Sequence, residues 1–320
     1  MKPLDRSTLR WATQLSCALS ASLLYGGTAL AQQTTTPPQR PQPIVAWSAK
    51  PVQLTPWNAP QKPHWKLSEV LAKHAGQRSW REDIVSDSDF IARYISMAPG
   101  EKTKRQFFAD DRVFWFVQSG RLRVSIDGQE PFVATQGFLV QVPYRTPYSI
   151  ESIGTEPSLR FEVTAAQAVP LYPLDETPAP LAGSDYLKIS FTGRGSYDEI
   201  NKPYLDFTKD VVGANGRGGP FVKDDHTFAN IIRGPGQPPP PPTNTGHFHI
   251  GYSEFWLILE GKIDYLIEGV PFFTAEPGDI VYAPRGRWHR ASFGGQGPAT
   301  RLAINPRPDG MHNFQPPDKE

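Results

Sequence analysis

Beyond about residue 80 the chain is a succession of short apolar runs rich in Val, Ile, Phe, Tyr and Trp, broken by Gly, Pro or Asp. Runs of that length and composition, with turn formers roughly every 8–12 residues, predict the strands of an all-β sandwich or barrel. Helical periodicity is found at one place. Within Lys66 to His74, Leu67, Val70, Leu71 and His74 recur at i, i+3, i+4 and i+7, with Ser68 near the start and Gly76 after the end, so a short amphipathic helix is expected there. Between Gln32 and Pro63 the sequence is rich in Pro, Gln and Thr, which favours extended, solvated backbone and predicts an arm or tether.

The apolar pattern repeats. Shifted by 141 positions, Phe114-Trp115 meets Phe255-Trp256, Gly120 meets Gly261, Gly128 meets Gly269, Phe132 meets Phe273, Gly137 meets Gly278, and Pro143 meets Pro284, without a gap. Paired glycines mark turns that need positive φ and paired aromatics mark core positions, so two copies of one β-barrel are expected. The expected segments are residues 32–80 for the arm and helix, 81–180 for the first barrel and 181–320 for the second, with a Pro/Ala-rich linker from Ala165 to Gly183. Further strands are predicted at Tyr186–Phe191 and Thr227–Ile232, and a Gly-rich insertion at 212–220 has no assigned place.

Composition narrows the function. With 34 Pro and 27 Gly in 320 residues, long regular helices are not expected, while 38% hydrophobic and 12% aromatic residues suffice for a large core. The net charge is +1 and no basic block is present, which argues against nucleic acid or an anionic membrane as partner and leaves a small-molecule substrate. A single cysteine excludes a disulfide framework and a Cys-rich zinc site. Residues 1–31 carry Lys2, Arg6 and Arg10, an apolar stretch and Ala29-Leu30-Ala31, the pattern of a secretory signal peptide cut before Gln32. A bacterial periplasmic or secreted protein follows, without membrane contact once the signal is removed.

The second copy carries the chemistry. In a strand, His247 and His249 project from the same face with Cα atoms about 6.5 Å apart, so both imidazoles can reach one ion. Glu254 follows after room for a turn, and His289 lies in a Gly278…Pro284…Gly286 stretch that predicts a strand, a tight turn and a returning strand. Three nitrogens and one oxygen suit one divalent transition metal (Fe, Mn, Cu, Ni, Co or Zn) and leave coordination positions open. Trp256, Tyr265 and Tyr282 are candidates to line the substrate pocket. Arg287, among the arginines bracketing His289, is the candidate to bind substrate through its fork of donors. His226 and His312 read as ordinary loop residues, and Pro238–Pro242 as a stiff rim or spacer.

These residues resemble the cupins, whose two motifs read G(X)5HXH(X)3-4E(X)6G and G(X)5PXG(X)2H(X)3N. His247, His249, Glu254 and Gly261 match the first, and Gly278, Pro284, Gly286 and His289 the second; Pro241 departs from the opening Gly of the first and Phe293 from the terminal Asn of the second, both at turn positions. The resemblance implies a bicupin: two jelly-roll barrels in tandem, all-β, with a short amino-terminal helix. In the first copy the four ligand positions hold Gln106, Phe108, Val113 and Tyr148, so that barrel is expected to be metal-free and structural. The resemblance further implies oxidoreductase chemistry of the dioxygenase type, with Glu254 as ligand and proton acceptor. A metal-dependent lyase, decarboxylase or isomerase is the alternative, as is a non-catalytic metal- or small-molecule-binding cupin. A homodimer is expected by the same likeness.

Overall fold

A computed structural model describes residues 44–308 and 310–316. The chain divides into a unit Met1–Val45, of which Ile44 and Val45 are described, and a unit Ala46–Glu320. The signal peptide and the start of the arm lie outside the described residues. No helix among the described residues is long and apolar enough to cross a membrane.

The second unit contains two β-barrels, each a six-stranded sheet facing a smaller one, and every strand pairing is antiparallel. In the first barrel the large sheet runs Tyr204–Asp206, Phe138–Val142, Val113–Ser119, Ser158–Ala165, Phe90–Met97, Trp80–Ser86, against Phe132–Thr135, Arg121–Ile126 and Tyr148–Ser152. In the second it runs His64–Trp65, Ile280–Ala283, Glu254–Glu260, Ala299–Asn305, Phe228–Gly234, Gly218–Lys223, against Phe273–Ala275, Ile263–Ile267, His289–Ser292, His247–Phe248 and Asn313–Phe314. This is the tandem jelly roll read from the repeat. The paired glycines 120/261, 128/269 and 137/278 all have positive φ.

The repeat extends to irregularities. A bulge between Val117 and Ser119 recurs between Ile258 and Glu260, and one between Asp83 and Val85 recurs between Pro220 and Val222. Met97 pairs with Ser158 and Gly234 with Ala299, so the offset is 141 on one strand and 137 on its neighbour. The second copy therefore holds four more residues between these strands, in the stretch that contains Pro238–Pro242 and leads to His247.

The barrels exchange their outermost strands. His64–Trp65, which precedes the first barrel, pairs with Val281 and Ile280 of the second. Tyr204–Asp206, which lies beyond the boundary expected at 180/181, pairs with Val140, Leu139 and Phe138 of the first. Between the large sheets lies one shared core, in which Phe90, Phe161 and Tyr94 meet Phe255, Leu302 and Ile304. Each barrel interior is a separate apolar cluster.

The helix spans Leu67–Lys73 and buries Val70. Lys66 holds the N-cap position without a side-chain cap, and the Leu67 amide donates instead to Asp279 of the second barrel at 3.0 Å. Phe228–Gly234 realises the strand expected at Thr227–Ile232. The strand expected at Tyr186–Phe191 does not form: these residues are exposed and join no sheet. Their β propensity describes a fit to a pleated, half-buried surface, and none is offered there. The unassigned Gly-rich insertion lies at the end of a π-helix, Phe207–Gly213, and the start of the strand Gly218–Lys223.

Candidate metal centre

His247 sits on a two-residue strand that pairs directly with His289, which brings the two imidazoles together across the sheet. Glu254 opens the strand Glu254–Glu260 of the opposite sheet, and His249 lies in the turn between. One donor atom from each of His247, His249, Glu254 and His289 lies within 4.8 Å of all the others. Glu254 Oε2 is 3.0 Å from His249 Nε2, 3.3 Å from His289 Nε2 and 3.6 Å from His247 Nε2, and the Nε2 atoms of His247 and His289 are 3.0 Å apart.

Nε2 is the inward nitrogen of all three rings, and two of them are oriented from behind. His249 Nδ1–H donates to the Met311 carbonyl at 3.2 Å, and His289 Nδ1–H to the Arg287 carbonyl at 3.0 Å. A proton held at Nδ1 leaves the Nε2 lone pair for an ion. His249, Glu254 and His289 are buried, while His247 is half-buried at the mouth. Burial pushes the Glu254 carboxyl up, but hydrogen bonding to His247, His249 and His289 more than reverses it and holds the group well below the usual carboxylate range. Burial lowers His247, against the opposing pull of Glu254. An ionised carboxylate facing three imidazole nitrogens, with no Lys or Arg side chain in the cluster, fits a divalent cation.

Of the expected pocket residues, Trp256 and Tyr265 face the interior of this barrel. The Trp256 ring stands edge-on to His289 at 5.2 Å, and Tyr265 packs 5.3 Å behind it. Tyr282 and Arg287 are turned elsewhere. Tyr282 pairs with Phe255 in the shared core, and its hydroxyl meets Asp87 and Ser253. Arg287 donates to the carbonyls of Thr55 and Glu268 and stacks over Trp57, 3.7 Å from the ring centroid, so it fastens the arm. All of its nitrogens are engaged away from the metal donors. Arg290 likewise holds the proline-rich rim through the carbonyls of Pro241 and Asn244.

His312, expected to be an ordinary loop residue, stands at the site instead. The carboxy-terminal strand Asn313–Phe314 pairs with His247–Phe248, which sets the His312 ring 4.8 Å from His247 and 4.6 Å from His249. A cavity of about 270 Å³ opens alongside, lined by Tyr252, Arg307, Met311 and Asn313. In the first barrel the corresponding positions reproduce the frame without the donors. Gln106 bridges Tyr148 as His247 bridges His289, Gln106 Nε2–H donates to the Tyr148 hydroxyl, and Phe108 and Val113 complete the set.

Two jelly rolls in tandem, the second carrying three histidines and a glutamate at its centre, define a fold, that of the cupin barrels. Residues 237–305 match the family model described as Cupin domain. Among solved structures, a cupin 2 conserved barrel domain protein from Leptotrichia buccalis is similar with a TM-score of 0.50 at 11% identity, over 76% of this chain and 96% of that one. A mutant of Bacillus subtilis oxalate decarboxylase aligns with a TM-score of 0.47 at 12% identity, over 81% and 80% of the two chains. No curated protein matches at significant similarity.

Proposed function

We propose that the protein is an exported metal-dependent enzyme, an oxidoreductase of the dioxygenase type acting on a small organic acid, phenol or enol. The observation that carries this reading is the convergence of four donors, one of them an ionised buried carboxylate, on one point inside the second barrel. When bound there, a divalent transition ion supplies Lewis-acid or redox chemistry to an oxygen of the substrate. His249 and His289, backed by the carbonyls of Met311 and Arg287, keep their inward nitrogens aimed, so the site is preorganised. Glu254 Oε2 is the one anionic acceptor within reach of all three imidazoles and is the group placed to hold a substrate proton. Trp256 forms an apolar wall beside His289 and keeps water from that flank. Export rests on the pattern of residues 1–31.

Elemental analysis of protein purified from its natural host compartment, paired with an oxygen electrode, tests this. About one transition-metal ion per chain is expected, with oxygen uptake during turnover of an organic acid, phenol or enol. In His249→Ala the bound metal should fall by about tenfold or more and turnover with it. Turnover without oxygen uptake would replace the dioxygenase reading by the lyase one. Full activity in metal-stripped protein would end both.

A further inference from the structure

The two barrels place an arginine at the same point of the same strand. Arg160 in Ser158–Ala165 and Arg301 in Ala299–Asn305 are separated by the repeat offset, and both face their barrel interiors. In the first barrel the charge is neutralised from within: Arg160 Nε–H donates to Glu162 Oε2 at 2.9 Å, with both side chains nine-tenths or more buried. In the second barrel the position of Glu162 is taken by Ala303. Arg301 is left with Nε and Nη1 sealed from solvent and without an acceptor among the described residues. Its guanidinium lies 5.2 Å from the Phe293 ring centroid, a contact that satisfies neither N–H.

A second orphan lies in the same barrel interior. Tyr265, where the first barrel has Val124, is fully buried, and its hydroxyl has no partner among the described residues. Burial pushes its phenol far up, the Arg301 charge pulls it down and the Glu254 charge pushes it up. The interior is also rearranged relative to the first barrel: Ala283 replaces Val142 and Ala291 replaces Ile150, while Phe293 stands in place of Ser152.

Two N–H groups of a half-buried guanidinium, sealed from solvent without an acceptor, and a buried phenol hydroxyl without a partner are each costly unless a ligand completes them. We infer that Arg301, with the Tyr265 hydroxyl, binds the carboxylate of a small organic acid inside the second barrel, in the place that Glu162 fills in the first. A carboxylate matches the planar fork of an arginine and accepts from a phenol at the same time. The inference deepens the proposed function, and rests on it, by choosing the carboxylic acid among its substrate classes.

The test is calorimetric titration of the full chain, loaded with zinc and separately metal-stripped, with acetate and with neutral acetamide as control. Acetate should bind saturably and acetamide should not. Arg301→Met should weaken acetate by about tenfold or more at unchanged zinc content. Ala303→Glu, which builds the first barrel's internal ion pair into the second, should do the same and serves if Arg301→Met fails to fold. Absence of acetate binding, equal binding of acetamide, or wild-type acetate affinity in a folded variant would overturn the inference. Zinc stoichiometry separates the two readings. A chain that takes up zinc but binds acetate independently of Arg301 keeps its metal centre and loses this site, and a chain that takes up no metal but binds acetate through Arg301 does the reverse.

Discussion

Gly261 and Gly128 show how differently two positive-φ glycines constrain the same fold. At Gly261, φ is +67° and an added Cβ would lie 2.8 Å from the Ala299 Cβ, with the Pro298 carbonyl closer still; at Gly128, φ is +83° and nothing lies within 4 Å. Gly128→Ala carries the backbone cost alone, about 1 kcal/mol, whereas Gly261→Ala adds a clash with the main chain and should cost about 2–4 kcal/mol. Urea denaturation midpoints check the order, and equal shifts would contradict it. At this scale the four clustered side chains were legible through the spacing of the two motifs they fill, although the strand ends at Phe248 and His249 lies beyond it rather than on the same strand face. Tyr282 was not. All four residues of Ile280–Ala283 are buried, so no polar alternation reveals which face meets the metal pocket and which the shared core. Register decides it, since Ala283 pairs with Glu254 and Tyr282 with Phe255. Arg287 was misread for a related reason, because its acceptors, Thr55 and Glu268, are distant in sequence. His312 was read as an ordinary loop residue, since a two-residue pairing at the end of the chain is what brings it to the site.

The exchanged strand His64–Trp65 and the helix after it are fastened through one carboxylate. Asp279 accepts from the Leu67 amide at 3.0 Å and the Glu276 amide at 3.0 Å, and its other contact is His64 Nε2 at 2.7 Å. Asp279→Ala removes the acceptor from all three groups and should destabilise the protein by about 2–4 kcal/mol. Metal content at saturating ion should be unchanged, because no metal donor touches this carboxylate. Denaturant titration with metal analysis checks both halves, and loss of metal at full stability would contradict the assignment. The helix was legible because its apolar spacing is local. The unformed strand at Tyr186–Phe191 has equally strong local signals, but a strand needs an edge, and Tyr204–Asp206 occupies the outer edge of the first barrel's large sheet.

Across the whole molecule, the shared core and the crossed strands tie the stability of each barrel to the other. Phe90 stands edge-on to Phe255 at 5.8 Å, the Tyr94 hydroxyl donates to the Gly278 carbonyl, and both bridge the halves. A single cooperative thermal transition is expected, readable by calorimetry as equal calorimetric and van't Hoff enthalpies. Two resolved transitions would mean that the barrels unfold separately. The tandem architecture itself was legible, since paired glycines and aromatics keep one offset from Phe114 to Pro143. The crossing of strands was not, because a repeat states what is equivalent and is silent on which copy each edge strand joins.

That crossing also sets a timetable for synthesis. Chains generally acquire structure from the amino terminus as they are made. Here the first barrel lacks its outer strand until residues 204–206 have been added, and His64–Trp65, made early, has no edge to dock on until Ile280–Ala283 exists. Neither half can be finished before translation is well into the other, so the nascent chain carries two open sheet edges through much of its elongation.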